Sequence, residues 1–144
     1  MVLPARATAA ALTRVRAICL ALPEVNERLS HGAPSWFVRD KRQIAMFVDD
    51  HHSDGRLAIW CAAPAGVQAD LVGLEAERFF RPPYVGTRGW LGVRLDVDVD
   101  WTEIEGILAD AFRVVAPTTV VRMLDAATAS GAADAADRDG VKKP

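Results

Sequence analysis

The sequence predicts an α+β fold, an antiparallel β-sheet with helices packed on one face. Three observations carry that prediction. The elements run helix, meander, helix, hairpin, helix, which is not the strict strand–helix alternation of a parallel nucleotide fold. Three β-rich apolar runs, at 35–38, 44–48 and 57–61, are separated by short polar segments, as in a meander with one buried face. Near the C-terminus, Ile104, Ile107, Leu108, Ala111, Phe112 and Val115 recur at helical spacing.

Each element follows from local chemistry. Leu12, Val15, Ile18, Cys19 and Leu22 recur in three- and four-residue steps, with Arg14 and Arg16 off that stripe. This predicts an amphipathic helix over 8–22, closed by Pro23. A brief strand at 27–30 is ended by His31-Gly32-Ala33-Pro34. The runs at 35–38 and 44–48 flank the polar reversal Arg39-Asp40-Lys41-Arg42 and read as a hairpin without a glycine at its tip. A polar loop, 49–56, leads into the third run. Pro64 suits the first turn of a helix over 64–72, and 75–80 adds a further helical turn. Pro82 and Pro83 then stop any helix and set an extended stretch. A turn at 86–89 precedes a strand at 90–95, so the flanking segments form a second hairpin. Asp100 caps the next helix, with Glu103 three residues on in a capping-box spacing. Pro117 ends it. Thr118 or Thr119 caps a last short helix carrying Val120, Val121 and Leu124.

The expected organisation is one domain over 1–125 and a disordered, alanine- and aspartate-rich tail over 126–144, where Val141 is the only bulky apolar residue. A chain of 144 residues can bury a core without disulfide or metal staples. Cys19 and Cys61 sit inside apolar stretches and read as buried, reduced thiols. Arg14 and Arg16 interrupt the alanine-rich N-terminal run, which argues against a secretory signal, and no run approaches the ~18 apolar residues of a membrane span. The expected setting is the cytoplasm. A formal net charge of −2 disfavours generic polyanion binding, but the charge is uneven. Residues 1–95 hold 12 Lys/Arg against 9 Asp/Glu, and residues 96–144 hold 5 against 10. A mildly basic body leaves local anion binding open.

Three stretches, taken together, resemble a known family. They are Leu22-Pro23-Glu24-Val25 followed by His31-Gly32-Ala33-Pro34-Ser35-Trp36; Phe79-Phe80 through Pro82-Pro83-Tyr84 to Arg88-Gly89-Trp90-Leu91-Gly92-Val93; and Val99-Asp100-Trp101 leading to Phe112-Arg113-Val114-Val115-Ala116-Pro117. In that order and spacing they resemble the MmcQ/YjbR family of small bacterial proteins, over roughly residues 12–125. The most specific part is the Tyr-x-Gly-x-Arg-Gly-Trp-x-Gly-Val core from Tyr84. The resemblance implies a frataxin-like, double-wing α/β domain and a DNA-binding role inferred from shape. It brings no catalytic residue set. Fold alone does not fix function.

Five segments invite a functional reading, and each has a structural one beside it. Around Gly86-Thr87-Arg88-Gly89-Trp90, glycines admit close approach of an anion, Arg88 can fork onto a phosphate, and Tyr84 and Trp90 offer stacking faces. Equally, the glycines serve a tight turn and the aromatics belong to the core. The segment is not a P-loop, since the lysine and following Ser/Thr are missing. Arg39, Lys41 and Arg42 form a wing tip for a phosphate backbone, or a solvated turn that Asp40 dilutes. His31, with Trp36 nearby, can face a ligand, or His31 can be a residue of the chain reversal. His51-His52-Ser53-Asp54 suggests a metal, but adjacent residues rarely aim at one ion, and an exposed loop is preferred. Asp96, Asp98 and Asp100 alternate like weak cation ligands, yet the glycine and distal glutamate of an EF-hand loop are missing.

Two hypotheses follow. The first is a DNA-binding protein using two hairpin wings, with Arg39, Lys41, Arg42, Arg81 and Arg88 on one surface and steep salt dependence. The second is a non-catalytic small-molecule or protein-interaction module, with a concave groove involving His31, Trp36, Tyr84, Arg88 and Trp90. An enzyme ranks lowest, because no nucleophile–base pair or metal set is visible in the sequence. No cofactor, metal or membrane partner is expected.

Overall fold

In the computed structural model, which describes residues 5–141, the chain opens with α1 (Ala5–Leu20). Ala11, Val15 and Cys19 are its buried residues, a four-residue repeat that marks one helix face. The helix starts before the apolar stripe does, because alanine at 9 and 10 and its neighbours propagate helix without needing burial.

Six strands follow: β1 (Val25–Ser30), β2 (Ala33–Val38), β3 (Arg42–Asp49), β4 (Leu57–Cys61), β5 (Phe79–Phe80) and β6 (Leu91–Arg94). They form one sheet in the order β1-β2-β3-β4-β6-β5, and every pairing is antiparallel. The first reversal is a two-residue turn, His31 (φ 51°) with Gly32 (79°), and the second has three residues, Arg39 to Lys41, between the paired Val38 and Arg42, with positive φ at Arg39 (52°) and Asp40 (56°). That geometry matches the twist of the flanking strands. Without a glycine at 39–40, tethers to the chain before and within β1 offset the strain. Arg39 N–H donates to Glu24 O (2.9 Å) and Asp40 N–H to Asn26 Oδ1 (2.8 Å). Ala33 and Pro34, expected in a turn, belong to β2. Pro34 lies beyond the β2–β3 ladder, which starts at Ser35, so its missing N–H breaks no rung there.

Residues directly opposite in a ladder share a face. One row runs Glu27, Trp36, Ala45, Cys61, Leu91, and the next along the same face runs Phe47, Ile59, Val93, Phe79. This face carries α1 and α3 (Trp101–Val115). The other face carries Arg28, Ser35, Met46, Trp60, Gly92 and Phe80 in one row. It too is covered, here by loops, so that all five β4 residues are buried. The Arg56 guanidinium lies 4.2 Å from the Phe80 ring, and His51 packs edge-on against Trp60 with ring centres 4.9 Å apart. Gly92 is required at its position because a Cβ there would stand 2.5 Å from the Phe80 ring.

α2 (Val67–Leu74) begins three residues after Pro64, with Gly66 in the left-handed region at its N-cap. The segment at 75–80 is a turn and then β5 rather than another helical turn, since Phe79 and Phe80 pair with Val93 and Gly92. Tertiary pairing overrides the local preference. Asp100 caps α3 as expected, its Oδ1 accepting from Thr102 N–H (3.0 Å) and Glu103 N–H (3.3 Å). Glu103 does not close a capping box. Its carboxylate pairs with Arg78 instead. α4 (Thr118–Val141) has Thr118 as its first helical residue and Pro117, whose carbonyl accepts from Val121 N–H (3.0 Å), in the cap position that a threonine was expected to fill, and its backbone runs on through the segment where the sequence suggested disorder. Alanine-rich chain favours helix, and residues 126–130 are exposed. Residues 142–144 of the expected tail lie outside the described residues. Among the described residues no helix is long and apolar enough to cross a membrane.

Candidate functional site

The antiparallel order brings the β2–β3 turn, the end of β4 and the start of β6 to one end of the sheet, where the last turn of α3 also arrives. Together they enclose a groove of about 610 Å³. Its cations are Lys41 from the turn, Arg42 from the start of β3 and Arg88 from the one-turn 3-10 helix Val85–Arg88. Its apolar wall is Phe37, Ala62, Ala63, Trp90, Val114 and Val115, and Gln43 completes the lining. No carboxylate lines it among the described residues.

Each cation is placed by its surroundings. Arg42 Nη1 donates to Val115 O (3.4 Å), using a carbonyl left free at the end of α3. The Arg88 guanidinium stands 5.5 Å from the Trp90 ring centre, within cation–π range. Lys41, Arg42 and Arg88 are all exposed, and none forms a salt bridge among the described residues. Gln43 is half-buried, and its Nε2 has no hydrogen-bond partner among the described residues.

The loop that carries Arg88 is fixed from α2. Gln68 Nε2 donates to Gly86 O (2.9 Å) and Trp90 O (2.5 Å), pinning both ends of the segment. Gly86 leaves room for Arg81, whose Cγ would stand 2.7 Å from a Cβ placed there. Gly89 adopts φ 84°, which only glycine takes without strain. Gln43 and Gln68 were not singled out from sequence. A lone glutamine in a strand or helix carries no local signal of what it will meet.

The structure therefore joins the sequence-predicted Lys41, Arg42, Arg88 and Trp90 in one place, with Phe37 beside them, and leaves the other predicted residues elsewhere. Arg39 is held by Glu24 (2.5 Å), and Asp40 by Arg28 (2.7 Å), so the tip of the turn is internally paired. Arg81 is exposed and packs over Gly86. His31 is exposed in the β1–β2 turn, at the other end of β2 from the groove. Trp36 is fully buried and donates from Nε1 to Glu27 Oε1 (3.0 Å), a core role. Glu27 also accepts from Arg16 (2.8 Å), and this bond holds its carboxyl below the usual glutamate range against the opposing effect of burial.

Tyr84 departs most from a core reading. It is 72% exposed at φ 63°, ψ −71°, the centre of a three-residue turn closed by Val85 N–H to Pro83 O (2.7 Å). This conformation is rare and strained. Its hydroxyl lies 3.5 Å from His52 Nε2, so it faces the 51–53 turn and not the groove. His51 and His52 spend their rings on each other, on Trp60 and on Tyr84.

Burial pushes the Asp96 carboxyl up, but hydrogen bonds from Arg94 outweigh it and leave it lowered. Asp98 and Asp100 line a separate polar groove with Arg78 and Glu103. Cys19 and Cys61 are free and buried, and burial pushes the Cys61 thiol up to about 12, far from reactivity at neutral pH.

Residues 20–114 match the YjbR family. No curated protein and no solved structure matches the chain.

Proposed function

The chain belongs to the YjbR family, and from that premise and the groove at the end of its sheet we propose that it binds DNA through Lys41, Arg42 and Arg88. The observation that carries the proposal is convergence. Three exposed cations from two separate stretches of chain meet around an apolar floor with no carboxylate in the lining among the described residues. Guanidinium groups recognise phosphate bidentately, and lysine adds a point charge. With an overall charge of −2, affinity depends on this local patch and not on the field of the whole molecule. The double-wing resemblance supports the same reading, since the β2–β3 turn is one wing and the 81–90 connection the other. The reading is of a binding protein without catalysis, in the cytoplasm, a setting that suits two unpaired thiols.

The size of the groove favours a second reading, an anionic small molecule in the same place, because about 610 Å³ falls within the range of ligand pockets. Fluorescence anisotropy with labelled DNA at about 50 and about 200 mM salt separates the two. Three phosphate contacts predict binding that weakens about 20- to 40-fold between those salts. Arg42→Ala and Arg88→Ala should each weaken it, and Arg39→Ala should not, because that side chain is held by Glu24. Absence of binding at the lower salt would overturn the DNA reading, and binding of small phosphorylated compounds would then favour the second.

A further inference from the structure

We infer that the groove takes an unpaired nucleic-acid strand and that Gln43 hydrogen-bonds the edge of one of its bases. The inference rests on the DNA-binding reading above and narrows it to a single-stranded ligand.

Three features of the groove lead there. The first is its floor. Phe37 and Trp90 are only 5% and 4% exposed, recessed below Lys41, Arg42 and Arg88, which are exposed at the rim. A duplex turns its phosphates outward and keeps its bases stacked, so it meets the rim alone. An unpaired strand can lay its backbone on the rim and turn a base inward. The second is the Arg88 guanidinium over the Trp90 ring, a flat cationic surface of the kind on which unpaired bases stack.

The third is Gln43. Its Nε2 is one of three buried side-chain nitrogens without a partner among the described residues, and it is the one whose residue lines the groove. A buried donor without an acceptor costs stability unless a ligand supplies one. The last torsion of glutamine is broad, so the amide can turn toward the groove without leaving its rotamer. Its N–H can donate to any acceptor that a base edge presents, a carbonyl oxygen of thymine or a ring nitrogen of adenine. Gln43 should therefore add affinity for an unpaired base and none for a duplex that meets only the rim.

The test compares labelled oligo-dT, oligo-dA and a mixed-sequence duplex of equal length, binding to the parent chain and to Gln43→Leu. The expected result is oligo-dT bound about tenfold more tightly than duplex, the scale of one stacked base. Oligo-dA should bind more tightly than duplex as well, and Gln43→Leu should weaken both single strands while leaving duplex binding and the salt dependence unchanged. A duplex bound as tightly as oligo-dT, or single-strand affinity unchanged in Gln43→Leu, would overturn this inference and leave DNA binding standing. No binding of any of the three DNAs would overturn both.

Discussion

Glu27 shows how much one side chain organises. It sits in β1, one residue opposite Trp36 in the ladder, and its carboxylate receives both Arg16 from α1 and the Trp36 indole. A single carboxylate thus ties the first helix to the sheet and satisfies a buried indole N–H. Its folded pKa is lowered, first by the Arg16 hydrogen bond. The contribution is therefore complete above the unfolded glutamate value of about 4.3 and is lost as pH falls through the lower folded value. Glu27→Gln should lower stability at pH 7 by about 1–3 kcal/mol. It should also flatten the acid side of the melting temperature against pH. An acid limb as steep in the variant as in the parent would assign that pH dependence to other carboxylates. None of this was legible in the sequence, where Glu27 is an ordinary polar residue of a short strand. Tyr84 and Trp90 carry the same lesson: they look alike as motif aromatics, yet one is 72% exposed and the other 4%. Side-chain destiny at these positions is fixed by loops that fold over the second face of the sheet.

Elements were more legible than side chains, because periodicity reports which face is buried. β4 matches its expected bounds, and the apolar stripe of α3 buries Ile104, Leu108, Ala111 and Phe112 as the spacing predicts. The misreadings cluster where a short segment has a distant partner. Phe79-Phe80 has helical neighbours in sequence but a strand partner in Val93 and Gly92. Lys41, Arg42 and Arg88 were each candidates, whereas their convergence depends on the β4–β6 pairing that brings the second wing beside the first. That convergence is held by α2 through Gln68. Gln68→Ala removes both donors to Gly86 O and Trp90 O. Amide exchange in residues 86–90 should rise by about tenfold, equivalent to the loss of about 1.4 kcal/mol of local protection. The β1–β2 hairpin should exchange as in the parent. Equal acceleration in both places would mean that Gln68 supports the whole fold and not this loop.

At the scale of the whole molecule, the sheet is closed on both faces by different means, helices on one and cation- and histidine-bearing loops on the other. This closure lets a six-stranded sheet keep β4 dry while leaving one end of the strands open as the groove. Among the described residues, Val120 is fully buried, Leu124 is the last one packed against the core, and residues 126–130 are exposed. From 126 onward the sequence offers one bulky apolar side chain, Val141, so there is little apolar area for further packing to bury. A chain ending at Asp125 should therefore melt within about 2 °C of the full chain, a difference below about 0.5 kcal/mol. The groove lies wholly within the shortened chain, so its oligo-dT affinity should also be unchanged, with the same salt slope of about −2 to −3 set by three cations. A shortened chain that melts much lower would show that the remainder of α4 packs against the domain. One that keeps its melting temperature but changes its salt slope would place charge from the tail within reach of the bound strand.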